Sequence, residues 1–150
     1  MPQPLIWVFE DQLSPDLPSL KKAPDAPVLM VESDVAFRRV PFHKKRIAFL
    51  CAAMRHFAAE LRAAGRTVHY YPLKAKGYRD SLSAIRHATK TAGTRELWVV
   101  DPSEHHTKAW VDTLPDLLGV EVRTFPNTLF LTDRADFREW ARSKKSPVME

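Results

Sequence analysis

The sequence predicts a single α/β domain in which a parallel sheet of five strands carries helices on both faces. Five short runs rich in β-forming residues alternate with longer segments of helical periodicity. Four of these runs are almost continuously apolar, as expected of strands that are covered on both faces of a parallel sheet. The 150 residues match the size of one ordinary domain, and 45% of them are hydrophobic and 27% charged, which is a globular composition.

The strands are predicted where apolar, β-branched and aromatic residues cluster between polar or proline-containing segments. They cover residues 5–9, 28–31, 67–71, 97–100 and 120–123. Between the first two strands, Pro15, Pro18, Pro24 and Pro27 interrupt the chain. Residues 11–27 are therefore predicted to form a loop with at most one helical turn.

The clearest helix lies between the second and third strands, where apolar residues recur at helical spacing and Gly65 supplies the stop. Its apolar stripe consists of Ile47, Leu50, Met54, Phe57 and Leu61. Cys51 lies beside this stripe and is predicted to be a small core residue. Further helices are predicted over residues 79–91, 104–118 and 133–143, with Pro115 disturbing the last turn of the second of these.

Right-handed crossovers turn this alternation into a doubly wound, Rossmann-like sheet. The predicted domain spans residues 1–143. Residues 144–150 continue past the last helix without a closing strand, so they are expected to begin a linker to a further domain that these 150 residues do not contain.

Composition and charge narrow the classes of function. The net charge of +5 and the isoelectric point near 9.5 permit a nucleic-acid or other polyanionic partner without demonstrating one. The single cysteine, Cys51, excludes an internal disulfide and a metal cage built from cysteines alone. The sequence has no apolar run of about 20 residues and no signal peptide, so that no membrane association and a cytoplasmic location are expected.

In an open parallel sheet, ligands bind outside the carboxyl ends of the strands, at the point where the strand order reverses. Several carboxylates and two histidines follow predicted strands here, but the glycine-rich phosphate loops of nucleotide-binding domains are absent. Adjacent residues on a helix point about 100° apart, which disfavours joint metal ligation by His105 and His106. One interpretation of these residues is a small hydrolase that uses Glu104 and His105. The absence of a nucleophile motif beside them disfavours it.

Four segments resemble the deoxyribodipyrimidine photolyase-related family, the bacterial branch of photolyases and cryptochromes that carries an iron–sulfur cluster. They are FEDQLSP at residues 9–15, FHKKRIAFLCAAMRHFAAEL at 42–61, DPSEHH at 101–106 and DFREWARSKKSPVME at 136–150. The resemblance implies an N-terminal domain that holds an antenna chromophore, 6,7-dimethyl-8-ribityllumazine or a similar molecule. The flavin adenine dinucleotide, the iron–sulfur cluster and the DNA-lesion pocket are expected only in a helical C-terminal domain.

The resemblance also implies partners. Full-length relatives carry out light-driven DNA repair or light sensing, and DNA would be reached only through the helical flavin domain, supplied in cis or in trans. By itself the present chain is not expected to be catalytic. An exposed face that once packed on that domain could favour a homodimer. The alternative interpretation is a docking module of the same fold that has lost its ligand.

The antenna-site residues implied by the resemblance follow the first, second and fourth strands or lie at the start of the long helix. Two departures concern this site. Glu10 stands where the family usually has a glycine before Asp-Gln-Leu, and its carboxylate would fill space there. Ala36 stands where some relatives have a further acid. The implied chromophore contacts are Glu10, Asp11, Gln12, Leu13, Glu32, His43, Lys44, Ile47, Leu50 and Glu104.

Overall fold

The computed structural model describes residues 3–73, 77–78 and 80–144. Its core is a five-stranded, all-parallel sheet, which confirms the predicted fold class. Each strand end lies within two residues of its predicted position, and the bounds of the second strand are those predicted. The strands are β1 (Leu5–Trp7), β2 (Val28–Val31), β3 (Val68–Tyr71), β4 (Glu96–Val100) and β5 (Glu121–Phe125).

The strand order is β3-β2-β1-β4-β5, so that β1 is the central strand. It pairs with β2 through Ile6 and Val28, and with β4 through Leu5 and Leu97. The chain therefore builds the sheet outward from β1 in one direction and then returns to build it in the other. The reversal places the switch point between the carboxyl ends of β1 and β4, where doubly wound sheets bind their ligands.

Seven helices connect or follow the strands in the described part of the chain. They are α1 (Pro18–Lys22), α2 (Asp34–Arg39), α3 (Lys44–Ala63), α4 (Ser81–Ala92), α5 (His105–Val111), α6 (Leu114–Leu118) and α7 (Arg134–Arg142). The helix predicted between the second and third strands is α3, and the helices predicted over residues 79–91 and 133–143 are confirmed within two residues at each end. The single turn expected between β1 and β2 is α1.

Two helical features differ from the prediction. Residues 104–118 form two helices rather than one, because the ring of Pro115 would collide with the carbonyl of Val111 in a continuous helix. The short helix α2 was not predicted. It begins after Ser33, whose hydroxyl accepts a hydrogen bond from the backbone N–H of Ala36 at 3.2 Å.

Helices cover both faces of the sheet, which confirms the doubly wound arrangement. Leu5 and Trp7 of β1 face the core under α4, α5 and α6, where Ile85 and Leu114 are buried. The alternate residues of the same chain segment, including Ile6, face the second core under α1 and α3. In that core α3 contributes Met54, Phe57 and Leu61. Burial of one such side chain stabilises the fold by about 1.5–3 kcal/mol.

The helix α7 packs differently from the other long helices, because none of its residues is buried. Asp133 caps it by accepting hydrogen bonds from two backbone N–H groups, and Arg134 pairs with Asp101 beyond β4 at 2.6 Å. Phe137 and Trp140 remain exposed, with ring centroids 5.7 Å apart. The C-terminal apolar surface is defined here as Leu129, Phe130, Leu131, Phe137 and Trp140, all exposed. Most of the predicted linker, residues 145–150, lies outside the described residues.

Candidate ligand-binding site

A crevice of about 310 Å³ opens at the switch point, beside the carboxyl ends of β1 and β4. The segment after β1 forms one side, and α2, α3 and the turn before α5 form the others. Its lining combines apolar and charged side chains. The switch-point crevice is lined by Phe9, Glu10, Asp11, Ala36, Phe37, Arg39, Phe42, Arg46, Leu50, Pro102, Ser103, Glu104 and Thr107.

Four of the ten residues implied as chromophore contacts meet in this crevice. They come from three separate parts of the chain and are Glu10, Asp11, Leu50 and Glu104. The fold brings them together because the segments after β1 and β4 lie side by side at the sheet edge, while the first turns of α3 pass over them. The Asp11 carboxylate accepts a hydrogen bond from the Ser103 hydroxyl, which ties these two segments to each other.

Glu10 is the least solvated acid in the crevice. Burial raises the pKa of its carboxyl, and the nearby Asp11 and Glu104 add to that rise. Its own backbone N–H and the more distant charge of Arg39 oppose the rise without cancelling it. The carboxyl therefore takes up a proton at a higher pH than an ordinary glutamate does, and when protonated it donates one hydrogen bond and accepts others.

An ion pair closes one side of the crevice. Arg39 of α2 donates to Glu104, which precedes α5, at 2.7 Å. The two side chains are 36% and 56% exposed, and exposed pairs of this kind contribute at most about 1 kcal/mol. The pair can thus yield to a ligand at small cost.

Glu32 lies outside the crevice, in a network of its own. Its carboxylate is fully buried and accepts two hydrogen bonds from Arg55, at 2.7 and 2.9 Å. The hydroxyl of Tyr70 and the backbone N–H of Leu73 also donate to it. Burial alone would raise the pKa of Glu32, but these donors hold that pKa below its usual value. The network joins β2, α3 and β3 and leaves Glu32 little capacity for a ligand.

Three more of the implied contacts have structural partners. The side-chain amide of Gln12 is buried and donates to the carbonyl oxygens of Val100 and Asp101, at 3.4 and 3.2 Å. Leu13 packs against the core under α1 and α3. His43 caps α3, because its Nδ1 accepts a hydrogen bond from the backbone N–H of Lys45 at 3.2 Å.

The last two implied contacts, Lys44 and Ile47, line a separate shallow groove along the outer side of α3. This outer groove also contains Cys51, Arg55 and His56. Cys51 is buried, as predicted for a small core residue, and burial raises the pKa of its thiol. The structure thus divides the residues of the long helix: Leu50 lies in the crevice, whereas Lys44 and Ile47 lie in the outer groove.

Sequence reasoning missed several residues of the crevice. Phe37 and Arg39 belong to α2, whose six residues are too few to show a helical period. The capping serine, Ser33, and the acid that follows it were the only local signal for this helix. Phe42 and Arg46 were within reach, because both lie in the segment 42–61 that carries the family resemblance. In the described part of the chain, no three His, Cys, Asp or Glu side chains converge to hold a metal ion.

Comparisons with known proteins match nearly the whole chain. The model of a family described as deoxyribodipyrimidine photo-lyase-related protein matches residues 6–150. A (6-4) photolyase from Agrobacterium fabrum is 31% identical over 151 residues, which are 97% of this chain and 29% of that relative. The chain therefore spans less than a third of the length of the relative. No helix in the described residues has the length and apolar character that spanning a membrane requires.

Proposed function

Because this chain belongs to the deoxyribodipyrimidine photolyase-related proteins, we propose that it is the antenna domain of such a protein and binds a ribityl-lumazine in the switch-point crevice. The observation that carries this proposal is the convergence of Glu10, Asp11, Leu50 and Glu104 in one crevice at the point of strand reversal. When bound, the chromophore absorbs light and passes the excitation to a flavin.

The residues of the crevice fit the two parts of 6,7-dimethyl-8-ribityllumazine. Phe9, Phe37 and Leu50 offer apolar contacts to the ring, while Asp11 and Arg39 offer partners for ribityl hydroxyls. Glu10 would repel an electron-rich ring as a carboxylate. Its protonated form, which the raised pKa extends to a higher pH than for an ordinary glutamate, would donate to a ring carbonyl instead.

The volume of the crevice, about 310 Å³, lies at the lower end of the range for small-molecule sites. A bound lumazine would therefore be held closely, and it would require the Arg39–Glu104 pair to adjust. The weak ion pair allows that adjustment.

Titration with 6,7-dimethyl-8-ribityllumazine tests the antenna proposal. We expect the native chain to bind the compound with a shift in its absorption and fluorescence. Leu50→Trp, which fills the crevice, is expected to weaken binding at least tenfold. Ile47→Trp is the matched control, since it places the same bulk in the outer groove of the same helix. Equal binding by the native chain and Leu50→Trp, or no binding by the native chain, would contradict the proposal.

The activity of full-length relatives requires more than this chain. We propose that light-driven DNA repair or light sensing depends on a helical domain that carries flavin adenine dinucleotide and an iron–sulfur cluster. That domain would be joined to this chain or supplied separately, and DNA would bind there. The 29% coverage of the Agrobacterium relative supports this division, because most of that protein lies outside the match.

A second candidate function is a docking module that acts without a chromophore. The C-terminal apolar surface favours it, because Phe137 and Trp140 are 58% and 46% exposed and Leu131 is fully exposed. Exposed apolar clusters of this kind mark interaction sites. We infer that the helical flavin domain covers this surface. A second copy of the chain is the competing occupant.

Size-exclusion chromatography with light scattering separates these occupants. We expect the chain to bind the part of the Agrobacterium relative that lies beyond the matched region, expressed separately. A Phe137→Ser/Trp140→Ser variant should lose that binding, whereas Phe49→Ser, which removes an exposed aromatic from α3, should retain it. A dimer of the native chain that the double variant abolishes would assign the surface to self-association instead.

A further inference from the structure

The outer groove along α3 is separate from the switch-point crevice, because the two share no lining residue. Its volume is about 740 Å³, and it follows α3 from Lys44 to Ala59, a length of about 22 Å along the helix axis. The α3 residues that line it recur every three or four positions, as Ile47, Ala48, Cys51 and Ala52 do after Lys44. They therefore form one continuous face over about four helical turns.

The shape of the outer groove suits a helix better than a small molecule. Ala48, Ala52 and Ala59 are exposed in it, and Ile47 and Leu73 lie half-buried beside them. Small-molecule sites are concavities that enclose most of their ligand. A shallow apolar groove of four turns instead matches an amphipathic helix with anchors at i, i+3, i+4 and i+7. Alanines at such a contact allow two helix axes to approach to about 8 Å.

The buried carboxylate of Glu32 holds two parts of the groove in position. It accepts hydrogen bonds from Nε and Nη2 of Arg55, at 2.7 and 2.9 Å, and from the backbone N–H of Leu73 at 2.7 Å. Arg55 and Leu73 both line the groove, and the side chain of Arg55 is still 59% exposed. The groove is therefore preformed, which reduces the entropy that a partner loses on binding.

The charges along α3 indicate the chemistry of a partner. The helix contains five lysines and arginines but a single acid, Glu60, and the described lining of the groove contains no acid. Lys44, Lys45 and Arg46 stand in the first turn, where the helix dipole disfavours positive charge. Since Glu32 already compensates Arg55, Lys44 and Lys45 would contribute most of the attraction for an acidic partner.

We propose that the outer groove is a docking site for an acidic amphipathic helix of a partner protein. Its apolar anchors would lie on Ala48, Ala52 and Leu73, and its carboxylates at Lys44 and Lys45. The proposal does not rest on lumazine binding, which uses the other side of α3.

Two other occupants fit the groove less well. A second copy of the chain lacks a suitable helix among its described residues, because its helices of eight or more residues, α3, α4 and α7, each contain more basic than acidic side chains. The phosphates of a nucleic acid would contact the lysines but would leave the apolar floor uncovered.

Fluorescence anisotropy with a pair of designed helical peptides of about 16 residues tests the proposal. Both peptides carry the same seam of leucine and alanine, and the flanking positions are glutamate in one and lysine in the other. We expect the native chain to bind the glutamate peptide at least tenfold more tightly than the lysine peptide. Lys44→Glu should reduce this preference at least fivefold, whereas Lys90→Glu makes the same change on α4 and should preserve it.

Ala52→Trp fills the groove from an exposed position and should weaken binding of the glutamate peptide at least tenfold. Ala109→Trp is the matched control, since it makes the same substitution at an exposed position of α5. Ile47→Trp should weaken peptide binding and leave lumazine binding unchanged, while Leu50→Trp should do the reverse. Failure of the lumazine titration alone would therefore leave the docking proposal standing.

Three results would overturn the docking proposal. The native chain could fail to bind the glutamate peptide at high micromolar concentration, it could bind both peptides equally, or Ala52→Trp could bind as tightly as the native chain. Tighter binding of a DNA oligonucleotide that Ala52→Trp also blocks would assign the groove to nucleic acid instead. A dimer of the native chain that Ala52→Trp abolishes would assign it to self-association.

Discussion

Glu10 and Glu32 follow neighbouring strands of the sheet, but their carboxyls lie in opposite electrostatic surroundings. Glu32 is fully buried and accepts hydrogen bonds from Arg55, Tyr70 and Leu73, which hold its pKa below the usual value near 4.5. Glu10 has no such donors among the side chains of the described residues, and burial raises its pKa. The surroundings of Glu32 therefore favour its carboxylate, whereas those of Glu10 favour protonation at a higher pH than for an ordinary glutamate.

Arg55→Ala is expected to destabilise the fold by about 2 kcal/mol at pH 7, because a buried carboxylate loses two charge-assisted hydrogen bonds. The folded-state pKa of Glu32 lies below its unfolded value, so this stabilisation is present above about pH 4.5 and is lost as the pH falls through the folded-state pKa. Urea unfolding of the native chain and of the variant at pH 7 and pH 3 measures the difference. Lys45→Ala is the control on the same helix, and a difference that persists undiminished at pH 3 would contradict the prediction.

Glu10→Gln is expected to stabilise the fold at high pH, whereas Arg55→Ala destabilises it. The folded-state pKa of Glu10 lies above its unfolded value, so the native chain is destabilised at pH values above the folded-state pKa and relieved as the pH falls. The variant should be more stable by about 1 kcal/mol at pH 8, a typical size for one substitution, and equal to the native chain near pH 4. Thermal unfolding at the two pH values checks this, and a variant that is less stable at pH 8 would show that the carboxylate is stabilised in the fold.

Sequence patterns locate residues of this site at an edge of the sheet but do not assign their partners. Because Glu10, Asp11 and Glu104 follow parallel strands, the sequence places them at the carboxyl edge of the sheet. Whether an acid faces a crevice or pairs with an arginine depends on the helix packed above it. For Glu32 that helix is α3, and Arg55, one of several arginines on its polar side, turns back to the sheet. Nothing in the spacing of Glu32 and Arg55 indicates this pairing.

The helix α7 illustrates how an element can be predicted from its ends alone. Its nine residues bury no side chain, and a helix of that length is marginal in water by itself. The cap at Asp133 and the pair between Arg134 and Asp101 are therefore its main supports. The sequence predicts a helix over residues 133–143, and Asp133 is a residue type that favours a helix start.

Asp133→Ala is expected to destabilise α7 by about 1 kcal/mol while it changes the global free energy of unfolding by less than about 0.5 kcal/mol. The amides of residues 137–142 should lose protection from hydrogen exchange, and those of the sheet should retain it. Glu139→Ala is the control within the helix. A large fall in global stability would mean that α7 unfolds together with the sheet.

The elements that were mispredicted share a physical cause. The helix α2 is too short for periodicity to be visible, and it owes its form to the Ser33 cap. The division of residues 104–118 follows from Pro115. The sequence pattern predicts a disturbed last turn, whereas the proline ring clashes one turn earlier, with the carbonyl of Val111. Both concern local backbone hydrogen bonding, which apolar patterns do not report.

For the whole molecule, alternation of strands and helices was sufficient to predict a doubly wound parallel sheet. The central place of β1 was not predicted, because strand order depends on which helix crosses which face. The strand order nevertheless determines the position of the crevice between β1 and β4. The fold class was therefore accessible from sequence, whereas the shape of the site required the topology.

The C-terminal apolar surface leads to a prediction for the whole chain. Without the flavin domain, the uncovered surface is expected to cause only weak self-association, at concentrations well above those of the binding experiment, through exposed Phe137, Trp140 and Leu131. Sedimentation velocity over a range of concentrations should show association that Phe137→Ser/Trp140→Ser reduces at least fivefold. Phe49→Ser should have little effect, and equal association of both variants would place the contact elsewhere.

The central position of β1 also bears on synthesis of the protein. Leu5 pairs with Leu97, so the first strand to leave the ribosome can complete its pairing only after β4 has been made. At typical elongation rates of about 5–20 residues per second, β1 waits roughly 5–20 s for that neighbour. During this interval its apolar residues, Leu5 to Phe9, have β2, β3 and the helices that precede β4 as cover, but no neighbour on the edge that β4 will occupy. A nascent chain stalled before residue 96 is therefore expected to expose one edge of its most apolar strand, and chaperones would bind it there.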